Sequence, residues 1–304
     1  MDIDTLCFCS GGIQGIVLIG VLKQLLNNNF IDIKNIRTFS GSSIGAMLAF
    51  LMCINFTIDE IILFIISYDF NNIESEYNIE NIFTSFGFNK GEIIETLFCK
   101  LLKHKLNKSD YTFMELYKIT NKKLIIVGTN FTKGTEQIFS YKKTPTYSVI
   151  KALRISISIP IIFTPIKMNN DYFVDGALLN NFPINACNKK TTLGLNLINP
   201  FENKLNSIQD VILGTLKILT THKIYKSKYI INIKIYDTNF TNFNVTPSYL
   251  LKLINHGEKI GQKYLIRYHK YKIKKIQNEI ENKKRNIISN ILDTIILKLE
   301  DNHL

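Results

Sequence analysis

Ser43 stands at the centre of Gly41-Ser42-Ser43-Ile44-Gly45, a Gly-x-Ser-x-Gly sequence. That spacing suits a nucleophile held on a sharp strand-to-helix turn, where side chains two residues to either side would collide with the adjoining strand and helix. The plainer reading is a glycine turn carrying an incidental serine. A serine hydroxyl also needs a base. Asp175-Gly176, the only Asp-Gly in the chain, directly follows the apolar Tyr172-Phe173-Val174. Alone it would pass for a turn. An aspartate with a pKa of about 3.9 is a poor base in water, so Asp175 would have to be desolvated and bonded directly to Ser43. The third element is Ser10-Gly11-Gly12-Ile13-Gln14-Gly15. A glycine loop at a helix start can cradle phosphate, but neither Gly-Lys-Ser/Thr nor Gly-x-Gly-x-x-Gly is present. Its alternative use is an oxyanion hole, with the bare amides of Gly11 and Gly12 facing the charge that develops on an acyl carbonyl oxygen.

The elements around these residues fall where such chemistry needs them. Thr5 to Cys9 reads as a buried strand that runs into the first glycine loop, and Ile16 to Phe30 as a core-facing helix. Ile36 to Ser40 is a second strand ahead of Gly41, and Ala46 to Ile54 continues as a helix buried on most sides. Residues 57–118 are loosely helical, with Gly87 and Gly91 as interruptions, and read as a lid or cap. Lys123 to Asn130 is a strand with a hairpin partner at Glu136 to Ser140. Pro145 to Ser158 reads as a helix stopped by Pro160, followed by strands at 161–168, 172–174, 191–197 and 229–236. Strands alternating with helices predict an α/β protein of three αβα layers around a largely parallel central sheet.

The 304 residues carry 37 Lys and Arg against 25 Asp and Glu, a formal charge of +12, and 46% are hydrophobic. Disordered, collagen-like and disulfide-stapled classes are thereby excluded. The surplus charge suits an anionic partner, either a membrane surface or nucleic acid. Much of it lies beyond Pro247, in a Lys/Arg-rich stretch followed by Ile287, Ile288, Ile291, Leu292, Ile295, Ile296 and Leu299 at helical spacing. This basic, helical C-terminal appendage is assigned to 256–304 and the body of the protein to 1–255. Docking of the appendage on anionic lipid competes with a helix whose apolar face packs on the core, which an amphipathic stripe more often does. The basic run matches no nucleic-acid docking motif, so no specific nucleic acid is expected.

Five cysteines, Cys7, Cys9, Cys53, Cys99 and Cys187, are odd in number and sit mostly in apolar runs, as reduced thiols do. The start Met1-Asp2-Ile3-Asp4 lacks the order of a secretory signal, so an intracellular, cytoplasmic setting is expected, at most peripheral at membranes. The longest apolar stretch, Ile44 to Ile54, is well short of the roughly 20 residues that span a bilayer.

Taken in order, Ser10 to Gly15, Gly41 to Gly45 and Asp175-Gly176-Ala177 resemble the motifs of the patatin-like phospholipases. Val127-Gly128-Thr129-Asn130 and Ala152 to Pro160 resemble further blocks of that family, and the likeness spans about residues 4 to 200. The resemblance implies a patatin-like fold and a serine lipid acyl hydrolase of the phospholipase A type, working through a Ser–Asp dyad without histidine. Ser43 would be the nucleophile, Asp175 the base, and the Gly11 and Gly12 amides the oxyanion hole. Gly15, Gly41, Gly45 and Gly176 would support the motifs. It implies a lipid ester substrate, phospholipid first, an acyl-enzyme on Ser43, and no cofactor or metal. Two departures stand out: Ser10 replaces the family's usual first glycine, and Gln14 its usual basic residue.

Two rival readings remain. A Ser-His-Asp α/β-hydrolase would recruit His222 or His256 in the right chain order, but that fold lays down several strands before its elbow and only one precedes residue 36. His104, His222, His256, His269 and His303 lie in helical or basic contexts without motif support. The other rival is a membrane-associated binding protein with a catalytically weak lipase fold.

Overall fold

The computed structural model describes residues 3–74, 76–198, 214–215, 218, 224–235 and 245–301, with side chains through residue 290. The strands are β1 (Thr5–Phe8), β2 (Thr38–Ser42), β3 (Gly87–Asn89), β4 (Lys123–Asn130), β5 (Thr135–Phe139), β6 (Ile161–Phe163), β7 (Ile166–Met168), β8 (Asp171–Asp175), β9 (Thr192–Ile198) and β10 (Ile230–Lys234). One mixed sheet runs in the order β10-β9-β1-β2-β4-β8-β7. Its first five strands are mutually parallel, β8 joins β4 antiparallel, and β7 pairs antiparallel with β8. The central strands β1 and β9 read as nearly continuous apolar runs because helices cover both faces of a parallel sheet, and every residue of β1 is buried. The small β3–β6 pair lies outside this sheet.

Strand β4 is paired along both of its edges. Ile126 and Val127 pair with Gly41 and Ser42 of β2 on one edge and with Phe139 and Ile138 of β5 on the other. Gly128 then pairs with Gln137 of β5 and with Asp175 of β8. Strand β8 therefore occupies the same edge of β4 as β2. Running antiparallel to it, β8 ends where β2 ends.

The helices are α1 (Val17–Asn27), α2 (Ile44–Cys53), α3 (Ile58–Ser67), α4 (Asn71–Glu74), α5 (Glu80–Ser85), α6 (Glu92–Leu106), α7 (Phe113–Thr120), α8 (Val149–Ser156), α9 (Ala177–Asn180) and a terminal helix, Pro247–Asp301. Helix α2 is apolar nearly all round and packs on β1, β2 and β4, the burial its composition demands. Thr57 and Thr112 start α3 and α7 with capping boxes to Glu60 and Glu115. The chain divides into two compact units, Met1–Gly261 and Gln262–Leu304. The first turns of the terminal helix belong to the first unit and lie against α1. A Cβ on Gly20 would strike the Ile254 carbonyl, and one on Gly257 the Val17 carbonyl, so two glycines let these backbones touch.

The architecture is the expected three-layer αβα one with a largely parallel sheet and a C-terminal helix. Local boundaries shift by a few residues, among them the second strand, expected over Ile36 to Ser40 and found at Thr38–Ser42, and two shifts have a clear local cause. The helix expected from Pro145 starts only at Val149, because Ser148 is extended, bridges Thr112, and accepts the Lys151 N–H as N-cap. The helix expected from Ile16 is preceded by a 3-10 turn, Gly12–Ile16, which carries the glycine loop into α1. Among the described residues no helix is long and apolar enough to cross a membrane.

Candidate active site

Ser43 sits between β2 and α2 with φ 54° and ψ −126°, a conformation that costs a non-glycine residue about 1–3 kcal/mol. The surroundings hold it there. Its N–H donates to Ser156 Oγ at 3.0 Å, and Ser156 Oγ in turn donates to the Val127 carbonyl at 2.6 Å. The flanking glycines are obligatory on space alone: a Cβ on Gly41 would enter the Gly45 carbonyl, and one on Gly45 the carbonyls of Phe8 and Cys9. Gly15 fits under Ile44 on the same ground, and a Cβ on Gly176 would meet the Val127 carbonyl.

Ser43 Oγ donates to Asp175 Oδ2 at 2.7 Å, with both residues almost wholly buried. The other carboxylate oxygen, Oδ1, accepts the Ala177 N–H at 2.7 Å, and the Asp175 N–H donates to the Ser158 carbonyl at 2.9 Å. Burial pushes the Asp175 carboxyl up to about 7, against the opposing pull of the Ala177 N–H and the Ser43 hydroxyl. A carboxylate so perturbed can take a proton near neutral pH, which one at its ordinary value does poorly.

The amides of Gly11 and Gly12 have no protein acceptor among the described residues. Gly12, at φ 51°, lines the same cavity as Ser43. That cavity has a volume of about 90 Å³ and is almost wholly apolar. Met47 and Leu51 of α2 form one part of its wall, and Ile61 and Ile65 of α3, Ile73 and Ile94 another. The segment 57–118 thus contributes a large share of the apolar lining.

Sequence reasoning misses the parts that hold the pair in register. Ser156 and Ser158 alternate with isoleucines in Ile155-Ser156-Ile157-Ser158, a polar-apolar alternation that could have marked two buried hydroxyls with structural duties. Arg154 lies in the Ala152 to Pro160 block that resembles the family, but nothing in the sequence gives it a role. Its guanidinium is fully buried against the Phe163 ring and donates to Ser158 Oγ at 2.6 Å and to the Lys90 carbonyl at 2.7 Å. Burial lowers it to about 10, so it stays charged. It ties the end of α8, and through Ser158 the Asp175 strand, to the loop before α6.

Among the described residues no histidine bonds to Ser43 or Asp175. His104 lies in α6 beside Phe56, and His256 and His269 are on the terminal helix. His222 and His303 lie outside the described residues. Among the described residues no group of three or more His, Cys, Asp or Glu could hold a metal ion.

Comparison with known proteins identifies the family of the chain. The family model described as patatin-like phospholipase matches residues 6–187. A probable lipid hydrolase, 463L, of Invertebrate iridescent virus 6 is 33% identical over 267 residues, covering 84% of this chain and 86% of the viral one. YqhO of Bacillus subtilis is 27% identical over 290 residues, covering 85% and 96%. Among solved structures, VipD of Legionella pneumophila superposes with a TM-score of 0.57 at 17% identity, over 88% of this chain and 67% of VipD. The Pseudomonas aeruginosa type III effector ExoU superposes with a TM-score of 0.51 at 14% identity, over 88% of this chain and 53% of ExoU. These two likenesses speak for the fold, while the family match spans all three glycine and aspartate motifs: the chain belongs to the patatin-like phospholipase family.

Proposed function

We propose that the protein is a lipid acyl hydrolase of the phospholipase A type, with Ser43 as nucleophile, Asp175 as base and the Gly11 and Gly12 amides as oxyanion hole. The observation that carries this reading is the direct 2.7 Å hydrogen bond from Ser43 to Asp175 on the wall of an apolar cavity. Ser43 Oγ attacks the acyl carbonyl carbon while its proton passes to Asp175. The resulting oxyanion accepts hydrogen bonds from the glycine amides, in a site where fixed donors act without reorganisation. Collapse expels the lipid alcohol, which takes the proton from Asp175. Asp175 then deprotonates a water that hydrolyses the acyl-Ser43 ester and releases the fatty acid.

In this proposal residues 1–255 form the acyl hydrolase domain, with 57–118 as a cap over the acyl chain and 256–304 as a basic extension. The substrate is a membrane phospholipid, reached from the cytoplasmic side by peripheral contact of the basic extension with anionic lipid. Catalysis needs no cofactor.

The test compares wild type, Ser43→Ala and Asp175→Asn on phospholipid, lysophospholipid, triacylglycerol and a soluble short-chain ester, with folding checked for each. Both variants should lose at least about a thousandfold in kcat/KM. A fluorophosphonate probe should label Ser43 in the wild type. Hydrolysis by Ser43→Ala at the wild-type rate overturns the proposal, and a wild type that neither reacts with the probe nor hydrolyses is a binding protein.

A further inference from the structure

We infer that the second unit carries a membrane-surface helix: an isoleucine stripe with lysines along both margins, built to lie in the headgroup layer of an anionic bilayer. The inference deepens the membrane contact proposed above and rests on that reading for its biological sense, but its physical grounds are separate.

The terminal helix exposes Ile266, Ile273, Ile276, Ile280 and Ile287, each between 49% and 58% accessible. At 3.6 residues per turn these five fall within an arc of about 80°. Burying them is what water would favour, so a stripe this continuous marks a surface awaiting a partner. The same spacing continues in the sequence through Ile291, Ile295 and Leu299.

Charge decides the occupant. Residues 262–290 hold nine basic side chains against Glu279 and Glu281 alone. On the helical projection Lys272 and Lys283 border one side of the stripe, and Lys263, Lys270 and Lys274 the other. Long lysine stems can lie along an apolar surface while their ammonium groups reach outward to phosphates, so margins of this kind complement lipid headgroups. A second copy of the helix fits poorly. Ile266, Ile273, Ile280 and Ile287 do recur every seven residues, but the positions between them that a coiled coil would fill with apolar residues hold His269, Ile276 and Lys283. Pairing would also bring two strongly basic helices together.

The test uses the full chain and vesicles of phosphatidylcholine alone or mixed with phosphatidylserine, read by flotation. Wild type should partition at least about tenfold more strongly onto the mixed vesicles. The double variants Ile273→Asp/Ile280→Asp and Lys272→Glu/Lys283→Glu should each lose about tenfold or more of that partition, while Ile273→Leu/Ile280→Leu keeps it. All should turn over a soluble short-chain ester at the wild-type rate. Ser43→Ala should bind vesicles like wild type, so failure of the hydrolase reading and failure of this one are told apart. Equal binding to neutral vesicles, unchanged partition in both disruptive variants, or a dimer by light scattering that the isoleucine variant dissociates would overturn the inference.

Discussion

Ser42 and Asp175 face consecutive residues of a single strand: Ser42 pairs with Val127 and Asp175 with Gly128, on the same edge of β4. Two strands from distant parts of the chain thus end head to head, one arriving parallel to β4 and the other antiparallel. The next residue after Ser42 turns sharply outward at φ 54° and brings its hydroxyl to the Asp175 carboxylate. Strand β4 is the ruler for the pair. This explains why the Val127 carbonyl also anchors Ser156, which fixes the Ser43 amide, and why Gly176 can bear no side chain there.

Because burial raises Asp175 to about 7, its basic form fills only as the pH passes through that value. On a soluble ester, log kcat/KM of the proposed reaction should climb with pH at unit slope on the acid side and level off above an apparent pKa near 7. A profile already flat from about pH 5 would mean that the reacting base keeps an ordinary carboxylate pKa.

The same shift has a cost in stability, with a definite sign. Between about pH 4 and pH 7 the folded protein holds a proton on Asp175 that the unfolded chain releases, so stability falls as the pH rises through that window. Asp175→Asn cannot ionise, and its amide can still accept from Ala177 and face Ser43. The variant should therefore melt higher than wild type at about pH 8, by on the order of a few kcal/mol in stability, and the gap should close toward pH 4. Thermal melts at both ends check it, and a constant or inverted gap counts against the buried, shifted carboxyl.

Much of this site can be read from the chain alone, and the limits of that reading are physical. Gly41, Ser43 and Gly45 declare themselves because a turn this tight excludes side chains at fixed offsets. Asp175 is harder, since an Asp-Gly pair is ordinarily a turn, and only its company with the other motifs gives it weight. Ser158 bonds to Arg154 one helical turn away, but Ser156 and Arg154 reach the carbonyls of Val127 and Lys90, which are set by tertiary packing, and no local period encodes such partners. The cavity wall is legible only in part: 57–118 reads as a cap, but which of its isoleucines face Ser43 depends on how α3 and α6 are placed. The late start of α8 follows from a long-range bridge between Thr112 and Ser148, which also lies outside any local window.

Ser156→Ala tests the support of the elbow. It leaves the Ser43 N–H buried without its acceptor, a loss of about 1–3 kcal/mol, in a residue whose backbone is already strained. Stability should drop by that amount, and on the proposed mechanism kcat should fall about ten- to a hundredfold with KM little changed, because Ser43 is displaced rather than the cavity wall. Ser156→Thr, which keeps the hydroxyl, should recover part of kcat. Equal kcat in all three proteins would show that the amide clamp is dispensable.

Ile65→Trp tests the acyl wall. Ile65 lies on α3 and lines the cavity shared with Ser43, so a larger ring there takes up room that a fatty chain would use. Activity on long-chain phospholipid should fall about tenfold or more, while a short-chain ester, which needs little of the cavity, is cleaved within about twofold of wild type. Parallel loss on both substrates would point to disturbance of the Ser43 turn instead of occupation of an acyl site.

Gly20 and Gly257 make a prediction about the fold that is independent of the chemistry. Each lies where the partner helix's backbone leaves no room for a Cβ, and the surrounding α1 residues are fully buried, so neither helix can retreat without opening the core. Gly20→Ala would ordinarily gain helix propensity worth about 1 kcal/mol. Overpacking against the Ile254 carbonyl should outweigh that gain and leave the variant less stable by about 1–3 kcal/mol. Gly257→Ala should behave alike, and the double variant should lose less than the two single losses added, because the first alanine already forces the helices apart. Urea melts of the three variants would decide it: stabilisation by either alanine would mean that the terminal helix does not sit on α1 at this distance.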